Sequence, residues 1–111
     1  MKKDYIPRQG DLVIISFDPQ TGHEQKGRRP GLVVSKDDFN KCGLAMVCPL
    51  TNTDRMFPFH TAVPDSCSLT GFIMTEQVKS IDCRVRNIKF VEKAPEEVLT
   101  EVLSLIDAIL F

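Results

Sequence analysis

Residues 11–35 read DLVIISFDPQTGHEQKGRRPGLVVS, and the fold turns on how this stretch divides. Asp11 to Phe17 is apolar and β-branched enough for a buried strand, launched by a turn at Gly10-Asp11. Gly31 to Ser35 reads as a second strand. Between them runs a polar loop, residues 18–30, longer than most hairpin connections, and such loops on compact domains are often functional. It carries His23, Glu24, Gln25 and three cations, Lys26, Arg28 and Arg29, punctuated by glycines and ended by Pro30. Pro30 pushes Arg29 towards an extended backbone. An imidazole, a carboxylate and fixed cations on one loop suit phosphodiester chemistry without a metal. A solvated hairpin loop is the alternative that the residues alone leave open.

Downstream the pattern continues in short strands. Lys36 to Gly43 suits one helical turn, with Ser35 as cap and Gly43 as stop. Leu44 to Leu50 is a third strand, running into the polar cluster Thr51, Asn52, Thr53, Asp54. Phe57 to Val63 alternates as a fourth, with Phe57, Phe59 and Thr61 on one face and His60 on the other, exposed side. Phe72 to Asp82 begins apolar and turns polar, and Arg86 to Ala94 alternates as a last strand. The end differs: Pro95 suits a first helical turn, followed by Glu96 and Glu97. Leu99, Val102, Leu103, Ile106 and Ile109 or Leu110 then recur at helical spacing. This apolar face is wider than one small barrel covers, which suggests a dimer contact. The expected fold is mainly β (α+β): a small antiparallel β-barrel with a short helix and a C-terminal amphipathic helix.

Composition bounds the function. A length of 111 residues supports one domain, spanning 1–111. A net charge of -1 gives no overall field towards nucleic acid or membrane, so any nucleic-acid site must be a local cluster of cations. No run approaches the roughly 20 apolar residues of a membrane span, and the N-terminus lacks the apolar core of a signal peptide. A cytoplasmic protein is expected. Four cysteines, at 42, 48, 67 and 83, show no CxxC pairing, and His23 and His60 stand apart. Free thiols are therefore expected, with no metal site and no cofactor.

Three stretches carry a resemblance: GDLVIISFDPQTGHEQKGRRPGLVVS, then VCPLTNT, then EQVKSIDCRVR. In this order and spacing the chain resembles the MazF/PemK family, the toxin half of bacterial type II toxin–antitoxin modules. The resemblance implies an SH3-like barrel, a homodimer, and a sequence-specific endoribonuclease that cuts single-stranded RNA without metal, leaving 2′,3′-cyclic phosphate and 5′-hydroxyl ends. It also implies a cognate antitoxin with an acidic C-terminal tail.

Such cleavage needs a base for the 2′-hydroxyl, an acid for the leaving oxygen, and donors for the phosphorane. Arg29, the arginine of the family's Arg-Pro pair, is the first catalytic candidate, because a guanidinium forks onto two phosphate oxygens. Thr51 matches the family's second key position, a hydroxyl directed at the phosphate or the arginine. Glu24 is either the general base or the partner that positions Arg29. His23 lies in the His-Glu-Gln run of the PemK-like branch and titrates near neutrality. That branch pairs it with an Arg-x-Asp-Gln run, which here is Met74-Thr75-Glu76-Gln77. The arginine is absent, so the load falls on Arg29 with Thr51, and His23 is secondary.

Gln25, Lys26, Arg28, Glu76, Gln77 and Lys79 are candidates for RNA binding. Phe17 or Phe57 offers a ring for base stacking, although such rings are more often core. Arg84 and Arg86 suit either a dimer seam or RNA. The rival reading is a CcdB-like gyrase-poisoning toxin of the same fold class, which the GHEQ…RP loop and Thr51 disfavour.

Overall fold

The computed structural model describes residues 5–16 and 28–111. Seven strands occur among these residues: β1 (Asp11–Ser16), β2 (Arg28–Val33), β3 (Leu44–Thr51), β4 (His60–Ala62), β5 (Phe72–Met74), β6 (Lys79–Asp82) and β7 (Lys89–Lys93). Helix α1 (Asp37–Asn40) follows β2, a 3-10 turn (Thr75–Gln77) joins β5 to β6, and helix α2 (Glu96–Leu110) ends the chain. All pairings are antiparallel, in the order β4-β5-β3-β2-β1-β7. The long strand β3 organises the sheet. One edge pairs with β2, and the other takes β6 against Leu44–Val47 and then β5 against Leu50–Thr51.

The sheet is buried on both faces, and alternation along each strand sorts the side chains. Leu12, Leu32, Val34, Cys48, Leu50 and Ile73 face α2 and meet Val98 and Val102 there. Val13, Ile15, Val33, Ala45, Val47 and Ile81 fill a second cluster on the opposite face. The sheet therefore curls around one cluster while α2 closes over the other, as expected for a small barrel with a C-terminal helix. No helix among the described residues is long and apolar enough to cross a membrane.

Several boundaries differ from the sequence reading, each for a local reason. β2 begins at Arg28 rather than Gly31, because Arg29 and Pro30 lie in register opposite Ile15 and Ile14 of β1. Ser35 does not cap α1, and its hydroxyl instead bonds Asn40 and accepts from the Met46 amide. Gly43 does end that turn, at φ +97°. The expected fourth strand, Phe57 to Val63, shrinks to three residues, since Phe57 to Phe59 form a turn that returns the His60 amide to the Phe57 carbonyl at 3.1 Å. In β7 the register slips by one residue, so Leu12 faces Glu92 while Val13 faces Phe90, and Val91 bulges between them. On α2, Val98 and Val102 carry the buried contact, whereas Ile109 and Leu110 stay in solvent.

The start of β1 is tied down by a buried carboxylate. Asp11, 2% exposed, accepts from the Tyr5 hydroxyl and the Arg8 amide, and pairs with Lys93 at 3.0 Å. A buried anion needs such saturation to avoid a large desolvation cost.

Candidate active site

The Gly31–Pro49 pairing of β2 with β3 sets the site. Continuing that register two residues brings Arg29 opposite Thr51, beyond the last β2–β3 pair, while Arg29 still pairs with Ile15 of β1 and Thr51 with Phe72 of β5. There the two strands open a cleft of about 310 Å³, lined by Arg28, Arg29, Pro30, Leu50, Thr51, Asn52 and Thr70. The Arg29 side chain is exposed, and among the described residues it has no ion-pair partner. Arg28 reaches the Asn87 carbonyl at 3.4 Å. Thr51 Oγ1 accepts from the Thr53 amide at 3.2 Å, which leaves its hydroxyl hydrogen available to a ligand.

The floor of the cleft requires a close backbone approach. Gly71 has φ +124°, and a Cβ there would stand 2.6 Å from the Thr51 carbonyl oxygen. This packing delivers Thr70 to the cleft, with its hydroxyl 3.5 Å from Asn52 Oδ1. Asn52 and Thr70 were missed as site residues by the sequence reading. Asn52 was legible as the neighbour of Thr51, but nothing in the sequence marks Thr70.

His23, Glu24, Gln25 and Lys26, together with Phe17, lie outside the described residues. The remaining candidates separate into two groups. Arg28, Arg29 and Thr51 share the cleft. Glu76, Gln77 and Lys79 lie on the 3-10 turn and at the start of β6, further along the same edge of β3. Phe57 is 42% exposed rather than core, and its ring meets those of Phe59 and His60.

His60 corrects the sequence reading most. Instead of an exposed strand side, it occupies a nearly closed site, its side chain 5% exposed and its Nε2 2.9 Å from Glu76 Oε2. Glu76, taken as an RNA contact, is thus already engaged. Arg84 is held by Asp82 at 3.0 Å, which draws the Asp82 carboxyl below its ordinary range. Arg86 donates to the Ser16 carbonyl at 3.1 Å. All four cysteines are free. Burial, with a smaller effect of nearby Glu76, pushes the Cys48 thiol up to about 12, so it packs as an inert core group.

Comparison with known proteins places this geometry. Residues 8–110 match the model of the PemK-like, MazF-like toxins of type II toxin–antitoxin systems. The chain belongs to this PemK/MazF toxin family. It is 37% identical to the endoribonuclease toxin ChpB of Escherichia coli K12, over 98% of this chain and 97% of that protein. MazF of Deinococcus radiodurans superposes with a TM-score of 0.86 at 38% identity, covering 96% of this chain and 98% of the other. A MazE–MazF structure from the same organism gives 0.87 at 34% identity, covering 96% and 97%. The seven-stranded sheet with its C-terminal helix is therefore the PemK/MazF fold, and these matches lend no support to a gyrase poison.

Proposed function

We propose that this chain is the toxin of a type II module and acts in the cytoplasm as a sequence-specific endoribonuclease on single-stranded RNA. The convergence of Arg29 and Thr51 on one open cleft carries this reading, and the naming of the relative ChpB as an endoribonuclease toxin supports it. The 2′-hydroxyl beside the scissile phosphate attacks phosphorus, and the 5′-oxygen leaves with a proton. The products are a 2′,3′-cyclic phosphate and a 5′-hydroxyl, and the substrate supplies its own nucleophile, so no cofactor is required. Arg29 holds the two non-bridging oxygens as charge develops, and the Thr51 hydroxyl donates to one of them or orients the guanidinium. Glu24 takes the 2′-hydroxyl proton or positions Arg29, with His23 as a secondary acid–base group. Gln25, Lys26 and Arg28 bind the phosphate chain, and the 3-10 turn with Gln77 contacts bases beyond the cleft.

The working form is a homodimer, which would cover the exposed Ile109, Leu110 and Phe111 at the end of α2. The partner is an antitoxin whose acidic tail folds over the Arg28–Arg29 cleft and competes with RNA. The MazE–MazF complexes among the structural relatives support that pairing.

Incubating the purified protein with a long single-stranded RNA in excess EDTA, and mapping the cut ends beside Arg29→Ala, tests the reading. Cuts at one recurring word with 5′-hydroxyl ends, lost in the variant, are expected. RNA left intact by the wild-type protein overturns the assignment.

A further inference from the structure

His60 is an uneconomical group in the described fold. Its ring is enclosed, with Phe57 standing edge-on at 5.2 Å, and among the described residues its buried Nδ1 has no hydrogen-bond partner. A leucine or phenylalanine would fill such a place without leaving a polar atom unsatisfied. The polar contact the ring does make is the 2.9 Å bond from Nε2 to Glu76. That contact joins the first residue of β4 to the 3-10 turn at Thr75–Gln77, beyond the His60–Met74 pair that ends the β4–β5 ladder.

The 3-10 turn is anchored at one end by the fully buried Thr75, while Glu76 and Gln77 are exposed. No side chain among the described residues caps it, and its ties include Thr75 N to the Phe59 carbonyl at 3.3 Å and Val78 N to the Thr75 carbonyl at 3.2 Å. Its place in the sheet is specific nonetheless. Phe72 pairs with Thr51 and Lys79 with Val47, so residues 72–79 run along β3 from the cleft inward, with the turn bridging the gap between β5 and β6. The influence of Glu76 on the Cys48 thiol marks the same level of β3. Gln77, the exposed residue next to Glu76, is therefore displayed along the strand that ends in Thr51.

We propose that His60 is a positioning residue for RNA recognition: by gripping Glu76 it fixes the 75–77 turn, so that Gln77 meets a base of the strand whose phosphate lies in the Arg29–Thr51 cleft. This rests on the ribonuclease reading above. It assigns His60 to substrate binding and word discrimination, and leaves bond cleavage to the cleft. The Glu76 carboxylate is committed to the turn and stays out of the proton transfers.

The test is cleavage kinetics on a short RNA bearing the mapped word and on the same RNA with one base changed. His60→Leu is expected to raise KM about tenfold, as loss of one charge-assisted hydrogen bond predicts, with little change in kcat and weaker discrimination between the two RNAs. His60→Gln keeps a donor where Nε2 stands and is expected to restore KM, whereas His60→Asn, which mimics Nδ1, is not. Gln77→Ala is expected to reproduce the His60→Leu defect, and the double variant to be no worse than either single one. A wild-type KM in His60→Leu, equal KM values in His60→Gln and His60→Asn, or defects that multiply in the double variant would each overturn the proposal. The Gln/Asn comparison decides the matter even if the leucine variant does not fold. Wild-type protein that leaves both RNAs intact sinks the ribonuclease reading instead.

Discussion

Arg29 and Thr51 face one another across the end of the β2–β3 ladder, two residues beyond the Gly31–Pro49 pair, and line the same cleft. Neither is part of the core, so substitutions here separate chemistry from folding. Arg29→Ala is expected to lower kcat by about 10²- to 10³-fold, the usual cost of removing a donor to developing charge. Its effect on stability should stay within about 0.5 kcal/mol, because an exposed side chain with no ion-pair partner among the described residues contributes little. Arg29→Lys should recover only part of the rate, since an ammonium cannot fork onto two oxygens. Thr51→Ser should retain most activity and Thr51→Ala should not. If the two residues serve one transition state, Arg29→Ala with Thr51→Ala should cost less than the product of the single effects. Full additivity would mean that they act on separate steps.

The cleft also depends on a residue with no side chain. A Cβ on Gly71 would collide with the Thr51 carbonyl at 2.6 Å, and its φ of +124° suits few other residues. Gly71→Ala is therefore expected to push apart the Thr51–Asn52 and Thr70–Gly71 segments. RNA cleavage should fall while far-ultraviolet circular dichroism stays near wild type, because the strain lies at the end of the sheet. A fully active Gly71→Ala protein would show that the cleft tolerates a wider opening than this packing suggests.

How much of this was visible in the sequence varies with the range of the interaction. Strands β1, β2 and β3 and helix α2 were legible because their apolar periodicity is local. Arg29 and Thr51 were singled out through resemblance, since neither an Arg-Pro pair nor a threonine at a strand end signals catalysis by itself, and the structure adds that they line one cleft. The bulge at Val91 was hidden, because alternation in one strand does not reveal a slip against its partner. His60 was misread for the same reason. Alternation puts it opposite Phe57, Phe59 and Thr61, but the first two lie in a turn that sets the Phe57 ring against His60, and its bond to Glu76 comes from sixteen positions away. Gly71 and Thr70 reach the cleft only through the β3–β5 pairing, which the sequence does not encode locally.

Glu92 predicts a specific pH dependence. Its carboxylate accepts from the Ser68 hydroxyl and amide, both at 2.8 Å, and from the Leu69 amide at 3.1 Å, pinning the loop before β5 to β7. These bonds, the Ser68 hydroxyl foremost, hold its pKa below the ordinary value. A depressed folded-state pKa gives stability that is fully present above the unfolded value, about 4.3 for glutamate, and is lost as pH falls through the lower folded value. Thermal melts of the wild type and Glu92→Gln should therefore differ at pH 7 and converge below the ordinary glutamate range. A gap that persists at low pH would mean that the side chain acts through packing rather than through its charge.

Helix α2 makes two different demands on its apolar residues, and substitution should separate them. Val102 is 0% exposed against Leu12, Leu32 and their neighbours, so Val102→Ala removes buried surface and leaves a small cavity. A loss of about 2 kcal/mol in unfolding free energy is expected, measured by urea titration. Leu110 is 65% exposed and Phe111 97% exposed, so within one subunit they contribute almost nothing to the core. If they seal the proposed homodimer, Leu110→Ser with Phe111→Ser should weaken association at least tenfold in sedimentation equilibrium while the circular dichroism spectrum of the folded chain persists, since about 1.4 kcal/mol of lost apolar burial suffices for that factor. The Val102→Ala variant should show the reverse: normal association when folded, and a lower unfolding midpoint. A double variant, Leu110→Ser with Phe111→Ser, that remains as tightly dimeric as the wild type would move the dimer seam away from the end of α2.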